Sequence, residues 1–259
     1  MTAPIRLDVR APFAELVLDR PEKRNALSHA MWSEIPKLVE AAVRDERVKT
    51  VIVHGGTAGT FAAGQDISEF ETQYATREGA AIAGKAIAAA LTAIETCEKP
   101  VIAAIEGACV GGGMSLALAC DVRLASGNSK FAITPAKLGL VYPPADMALL
   151  LKQVPPSVAK DILLTARLLD AKEARDLSLV DRVVEDGILD ASRAYARQIC
   201  EVSQWSTRAI KKMISGVAKG WTPESPEALE LFLSGFENRD HQEGYRAFLD
   251  KRKPDFPIR

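Results

Sequence analysis

Residues 101–121 constrain the fold of this 259-residue chain more than any other stretch. Val101-Ile-Ala-Ala-Ile105 reads as a short buried strand, three consecutive glycines follow at 111–113, and Met114-Ser-Leu-Ala-Leu-Ala-Cys120 then reads as helix. A strand that turns through bare backbone into a helix is a building unit of α/β folds. Glycine has no Cβ, so a ligand can approach the main chain closely there. The first N–H groups of a helix lack partners within it, and the helix dipole adds partial positive charge. Such a turn suits an anionic oxygen, or one that becomes anionic during a reaction. A tight strand-to-helix turn with no ligand is the plain alternative.

The same alternation recurs along the first half of the chain. Residues 14–19, 48–54, 101–105 and 122–125 are expected to be strands, and 180–185 a last one. Helical periodicity covers 28–45 and 78–97. Pro36 is expected to kink the first of these, and the alanine-rich 80–93 reads as a closely packed, buried helix. Asp170-Ala-Lys-Glu173 has the form of a capping box. From Ile188 onward the pattern is helical, over 188–203, 205–219, 223–238 and 241–251. The expected fold class is therefore α/β with a largely parallel sheet, built as a core over 1–195 and a helical segment over 196–259.

Composition narrows the function. A net charge of −1 excludes non-specific binding of nucleic acid or of an anionic membrane as the main task. The apolar share is 47% and the charged share 26%, as in ordinary globular proteins. No stretch reads as a secretory leader or a bilayer span. Cys97, Cys109, Cys120 and Cys200 form no CxxC pair, which points to reduced thiols and a cytoplasmic setting. His29, His54 and His241 lack metal-ligand spacing, so no metal site is expected.

Phe61-Ala-Ala-Gly-Gln-Asp-Ile67 supplies a second glycine turn after a strand. With the triplet at 111–113, Arg20-Pro-Glu-Lys-Arg-Asn-Ala-Leu27 and the ending Gln242-Glu-Gly-Tyr-Arg-Ala-Phe-Leu-Asp-Lys-Arg-Lys-Pro254, it makes the chain resemble the enoyl-CoA hydratase/isomerase (crotonase) family from about Arg20 to Phe256. The resemblance implies a spiral of ββα units followed by a C-terminal helical segment that joins subunits into trimers or dimers of trimers. It implies an acyl-CoA substrate, with coenzyme A as part of that substrate and no separate cofactor. The backbone N–H groups of Gln65 and Gly112 would form an oxyanion hole for the thioester oxygen. Ala63, Asp66 and Ile67 match positions lining the adenine pocket, and Lys23 and Arg24 fall where the family meets CoA phosphates. Phe248 and Lys251 match tail positions that reach a CoA on the neighbouring subunit.

The chain departs from the family pattern at both usual glutamates. Ser115 stands at the first of these positions. In Phe131-Ala-Ile-Thr-Pro-Ala-Lys-Leu-Gly139, Pro135 stands at the second, or Ala136 if the alignment slides by one. None of these side chains exchanges a proton as a carboxyl does, so enolate chemistry without a glutamate pair fits better than conventional hydration. The 131–142 segment and the tail are similar to those of methylmalonyl-CoA decarboxylase, which makes decarboxylation an alternative. Gln65 departs from the histidine of that enzyme, and Ser115 from its acidic residue. A catalytically silent acyl-CoA-binding protein and a serine hydrolase using Ser115 are further alternatives.

Tyr142 and Asp146 are the leading proton-handling candidates. The bland readings are a surface aromatic beside Pro143-Pro144, a helix N-cap for Asp146, and a space-filling Ser115. Glu69 and Glu71 read as solvent-facing helix positions, His54 as the end of a core strand and His241 as the start of the last helix.

Overall fold

The structure is a computed structural model that describes residues 4–256. It opens with a hairpin of β1 (Ile5–Arg10) and β2 (Phe13–Leu18), continues through α1 (His29–Arg44) to β3 (Thr50–His54), and then through α2 (Phe70–Gln73) and α3 (Arg77–Glu95) to β4 (Val101–Ile105). Next come β5 (Ala108–Val110), α4 (Gly112–Ala119), β6 (Val122–Ser126) and β7 (Lys130–Ala132). The chain proceeds through α5 (Pro144–Gln153), α6 (Pro156–Thr165), β8 (Leu169–Asp170), α7 (Ala171–Asp176) and β9 (Arg182–Val184). Four helices complete it: α8 (Ile188–Cys200), α9 (Gln204–Ala218), α10 (Pro226–Glu237) and α11 (Arg239–Leu249).

Six strands form one sheet in the order β1-β2-β3-β4-β6-β9, parallel throughout except for the β1–β2 hairpin. Alternate side chains go to opposite faces, as strand geometry requires. Ala14, Leu16, Val51, Val53, Ala103 and Ile105 join the main core, where Trp32, Ile35, Leu91 and Ile94 of α1 and α3 cover them. Phe13, Ile52, Ile102, Ala104 and Leu124 face the other way and meet Ile188 and Ala196 of α8. Burial on both faces explains the near-continuous apolar runs of β3 and β4. Each fully buried Val, Leu or Ile contributes about 1.5–3 kcal/mol toward holding the layers together. A second, three-stranded sheet runs β5-β7-β8.

The expected strands and helices are present with shifts of one or a few residues at their ends. Strands β1, β5, β7 and β8 were not expected. β1 alternates charged and apolar residues at a sheet edge, and the other three are two or three residues long. Pro36 does not interrupt α1. Met31, Trp32, Ile35, Val39 and Ala42 keep one buried face on both sides of it, so the proline removes one backbone donor without ending the helix. The alanine-rich α3 is half-exposed rather than buried, with Ala83, Ala90, Leu91 and Ile94 covered and Ile82 open to solvent.

The division expected at residue 195 passes through α8, which packs on the sheet. Beyond α8 little is buried: α9 covers Gln204 and Gly216, and α10 only Ala228. The carboxyl ends of β3 and β4 feed the two glycine turns, the end of a parallel sheet where loops gather around ligands.

Candidate active site

The loop after β3 and the loop after β4 are laced together strand-fashion. Ala62 N–H donates to Ala108 O at 3.0 Å, and Val110 N–H donates back to Ala62 O at 3.0 Å. This approach depends on Gly113, because a Cβ there would stand 2.7 Å from Ala62 O. The result is that the Gly64–Gln65 turn lies beside the start of α4.

Each of the two turns frees one amide. The Gly64 carbonyl accepts the Leu27 N–H at 2.7 Å, and the N–H two residues on, that of Asp66, donates to Leu27 O at 3.0 Å. In a trans peptide the N–H points opposite to the C=O, so the Gln65 N–H is turned away from Leu27. The Gly111 carbonyl is taken by the Ser115 N–H at 3.1 Å in the first turn of α4, and the Gly112 N–H therefore faces out of the helix start. Neither amide has a partner among the described residues. A Cβ on Gly112 would lie 3.8 Å from Gln65 N and 3.1 Å from the Trp32 ring, which measures how closely the three groups stand.

Both amides open onto a cleft of about 330 Å³ walled by Trp32, Phe70, Tyr74, Ile87, Leu138 and Tyr142. Asp146 is the one charged side chain along the described lining. It lies in the first turn of α5, 3% exposed, with Oδ2 lacking any hydrogen-bond partner among the described residues. Burial pushes its carboxyl above the ordinary aspartate range, and the Ser115 hydroxyl offsets part of that rise. The hydroxyls of Ser115 and Tyr142 are 2.8 Å apart. Burial first, and then the negative charge of Asp146, push the Tyr142 phenol well upward, so it remains a neutral hydroxyl. The structure thus brings Gln65, Gly112, Ser115, Tyr142 and Asp146 to one place. It corrects two of the bland readings: Tyr142 is buried, not on the surface, and the N-cap of α5 is Pro143, not Asp146.

The other expected binding residues divide into groups. Ala63 and Ile67 line the cleft. Asp66 is buried and engaged within the protein, pairing with Arg20 Nη1 at 2.5 Å and accepting from the Ser68 N–H and hydroxyl. Burial raises its carboxyl, but Ser68 and Arg20 outweigh that and leave it below the usual range. Arg24 lies beside the turn, its carbonyl accepting the Ala63 N–H at 3.0 Å, and both Lys23 and Arg24 are exposed. Phe248 and Lys251 are exposed on and just after α11 and are not among the cleft residues of their own chain. No histidine lines the cleft among the described residues, so Ser115 has no imidazole base there.

Glu69, expected to face solvent, accepts the His29 N–H at 2.8 Å at the start of α1. Trp32 and Tyr74 were not anticipated as cleft residues, because aromatic side chains on helical segments carry the same sequence signal as core. Asn25 was also missed. Its side chain accepts the Arg20 N–H and donates to Gly55 O and Thr60 O, at 2.8–2.9 Å, fixing the cleft loops.

Comparison with known proteins agrees with this geometry. A family profile described as Enoyl-CoA hydratase/isomerase matches residues 9–258. The chain is 32% identical to a carnitinyl-CoA dehydratase of Citrobacter koseri, covering 98% of each sequence. It is 33% identical to a crotonyl-CoA hydratase of Syntrophomonas wolfei, covering 97% of each. Among solved structures, an enoyl-CoA hydratase/isomerase family protein from Hyphomonas neptunium superposes with a TM-score of 0.98 at 59% identity, over 100% of this chain and 99% of that one. The paired glycine turns, their two free amides and these likenesses over nearly the full length lead to one conclusion: the chain belongs to the enoyl-CoA hydratase/isomerase family.

Proposed function

We propose that the protein stabilises the enolate of a neutral, apolar acyl-CoA and moves a proton with a single carboxyl, that of Asp146. The observation that carries this reading is the pairing of two free amides with one buried carboxyl in a cleft otherwise lined by apolar and hydroxyl groups. The Gln65 and Gly112 N–H groups hold the thioester oxygen, each contributing about 3–4 kcal/mol as that oxygen gains charge. The Asp146 carboxylate removes a proton from Cα. The same carboxyl then returns it to Cγ of a 3-enoyl thioester, giving the conjugated 2-enoyl isomer with no net gain or loss of atoms. The Ser115 hydroxyl steadies the carboxylate, and Tyr142, its hydroxyl 2.8 Å from that of Ser115, holds Ser115 in turn.

Hydration and dehydration form the second reading, favoured by the names of the two relatives. On that route one carboxyl both activates water and hands back its proton. Decarboxylation has less support, because no Lys, Arg or His side chain lines the described cleft to receive a second carboxylate. The large apolar side chains left open on α9–α11 support assembly into a trimer or a dimer of trimers. In such an assembly Phe248 and Lys251 would approach a neighbour's nucleotide. Four free, buried cysteines are consistent with a reducing, cytoplasmic setting.

The test is to offer the protein but-3-enoyl-CoA, crotonyl-CoA and methylmalonyl-CoA in parallel. Conversion of the first to crotonyl-CoA is expected to be fastest. Faster water addition to crotonyl-CoA would select the second reading. CO₂ release from methylmalonyl-CoA, or binding of all three without turnover, would overturn both.

A further inference from the structure

We infer that Trp32 is a positioning residue for the oxyanion hole, an inference that rests on the enolate reading above. Trp32 is 1% exposed on α1, and its indole N–H donates to Gln65 Oε1 at 2.8 Å. The edge of the same ring lies 3.1 Å from where a Gly112 Cβ would be. One rigid side chain therefore touches both turns that carry the hole, one through a hydrogen bond and the other through van der Waals contact.

The indole contact has a clear chemical consequence. Gln65 has a side-chain carbonyl oxygen within a few bonds of its own main-chain N–H. Left free, that oxygen competes with the substrate oxygen for the hole's donors. Trp32 occupies this acceptor and draws the carboxamide toward α1, leaving the amide open to the cleft. Preorganised donors stabilise charge without reorganising during the reaction, and a donor that must first be released loses that advantage. The ring also sets the distance between the two turns, since α1 itself is anchored by the core contacts of Met31, Ile35 and Val39.

The test uses the full-length protein and a dienoyl-CoA whose thioester absorbance moves to longer wavelength when its carbonyl is polarised. Wild type is expected to shift this band on binding. Trp32→Phe keeps the packing but removes the donor, and should lose most of the shift. It should also lower kcat about tenfold while changing KM less than twofold. Gln65→Leu retains the main-chain N–H and removes the competing oxygen, so adding it to Trp32→Phe should restore most of the shift and of the kcat that Trp32→Phe loses. A full red shift and unchanged kcat in Trp32→Phe, or a double variant no better than Trp32→Phe alone, would overturn the inference. Absence of any shift in wild type would instead remove the enolate reading itself. Circular dichroism of each variant separates these outcomes from misfolding.

Discussion

At the scale of single residues, the most consequential feature is a carboxyl held in an apolar wall. Folding raises the Asp146 pKa above the ordinary aspartate value of 3.8, through burial. In the interval between the unfolded and folded values the native state binds the extra proton, so stability falls as pH rises through it. At neutral pH the buried carboxylate thus works against folding. Asp146→Asn is expected to raise Tm at pH 7, with the gain shrinking toward pH 4, while lowering kcat by about 10²–10⁴-fold, the usual range for a lost general base. Differential scanning calorimetry and the isomerase assay check the two halves. A variant that is both active and less stable would refute this role.

The same group sets the pH profile. A base works when deprotonated, so the acid limb of kcat/KM should lie above pH 3.8 and disappear in Asp146→Asn. Gly112→Ala should lower kcat by about 10²–10³-fold, since its methyl would stand against the Trp32 ring and beside the Gln65 amide. The two glycine turns were legible in the sequence as a strand-to-turn pattern, whereas Gln65 and Gly112 as the bearers of the two amides came from the family resemblance alone. Trp32 and Tyr74 were not legible, because an aromatic residue at a helix face reads as core whether it touches protein or ligand.

At the scale of elements, the cleft depends on loops fastened to strands. Asn25 sits at a left-handed φ of 54° and ties Arg20, Gly55 and Thr60 together. Asparagine tolerates that conformation better than most residues. Asn25→Ala leaves three polar groups without their partner, and should cost about 2–4 kcal/mol in urea unfolding. A loss below 1 kcal/mol would show the loops to be held by other contacts. Long buried strands such as β3 and β4 were readable from their β-branched runs. The two- and three-residue strands β5, β7 and β8 were not, because their hydrogen bonds are made to distant segments and leave no local periodicity.

At the scale of the whole molecule, the C-terminal helices stand out by what they leave uncovered. Phe232, Phe236, Phe248 and Leu249 are 58–82% exposed on α10 and α11. Charged replacements such as Phe232→Glu with Phe236→Glu should dissociate the proposed trimer, read as a smaller species in sedimentation velocity, while the α/β core remains folded by circular dichroism. An unchanged sedimentation coefficient would place the subunit contact elsewhere. The helical character of this segment was evident from its periodicity; a role in joining subunits was implied only by the family resemblance, since an amphipathic helix looks alike against its own core and against a second copy. Enolate formation itself is tested most directly by exchange of the α-protons of a saturated acyl-CoA with D₂O, followed by mass spectrometry. Wild type should incorporate deuterium at Cα, Gly112→Ala should do so at least 100-fold more slowly, and Asp146→Asn should leave the substrate unlabelled. A wild-type protein that binds the acyl-CoA and incorporates no deuterium would contradict the proposed chemistry at its centre.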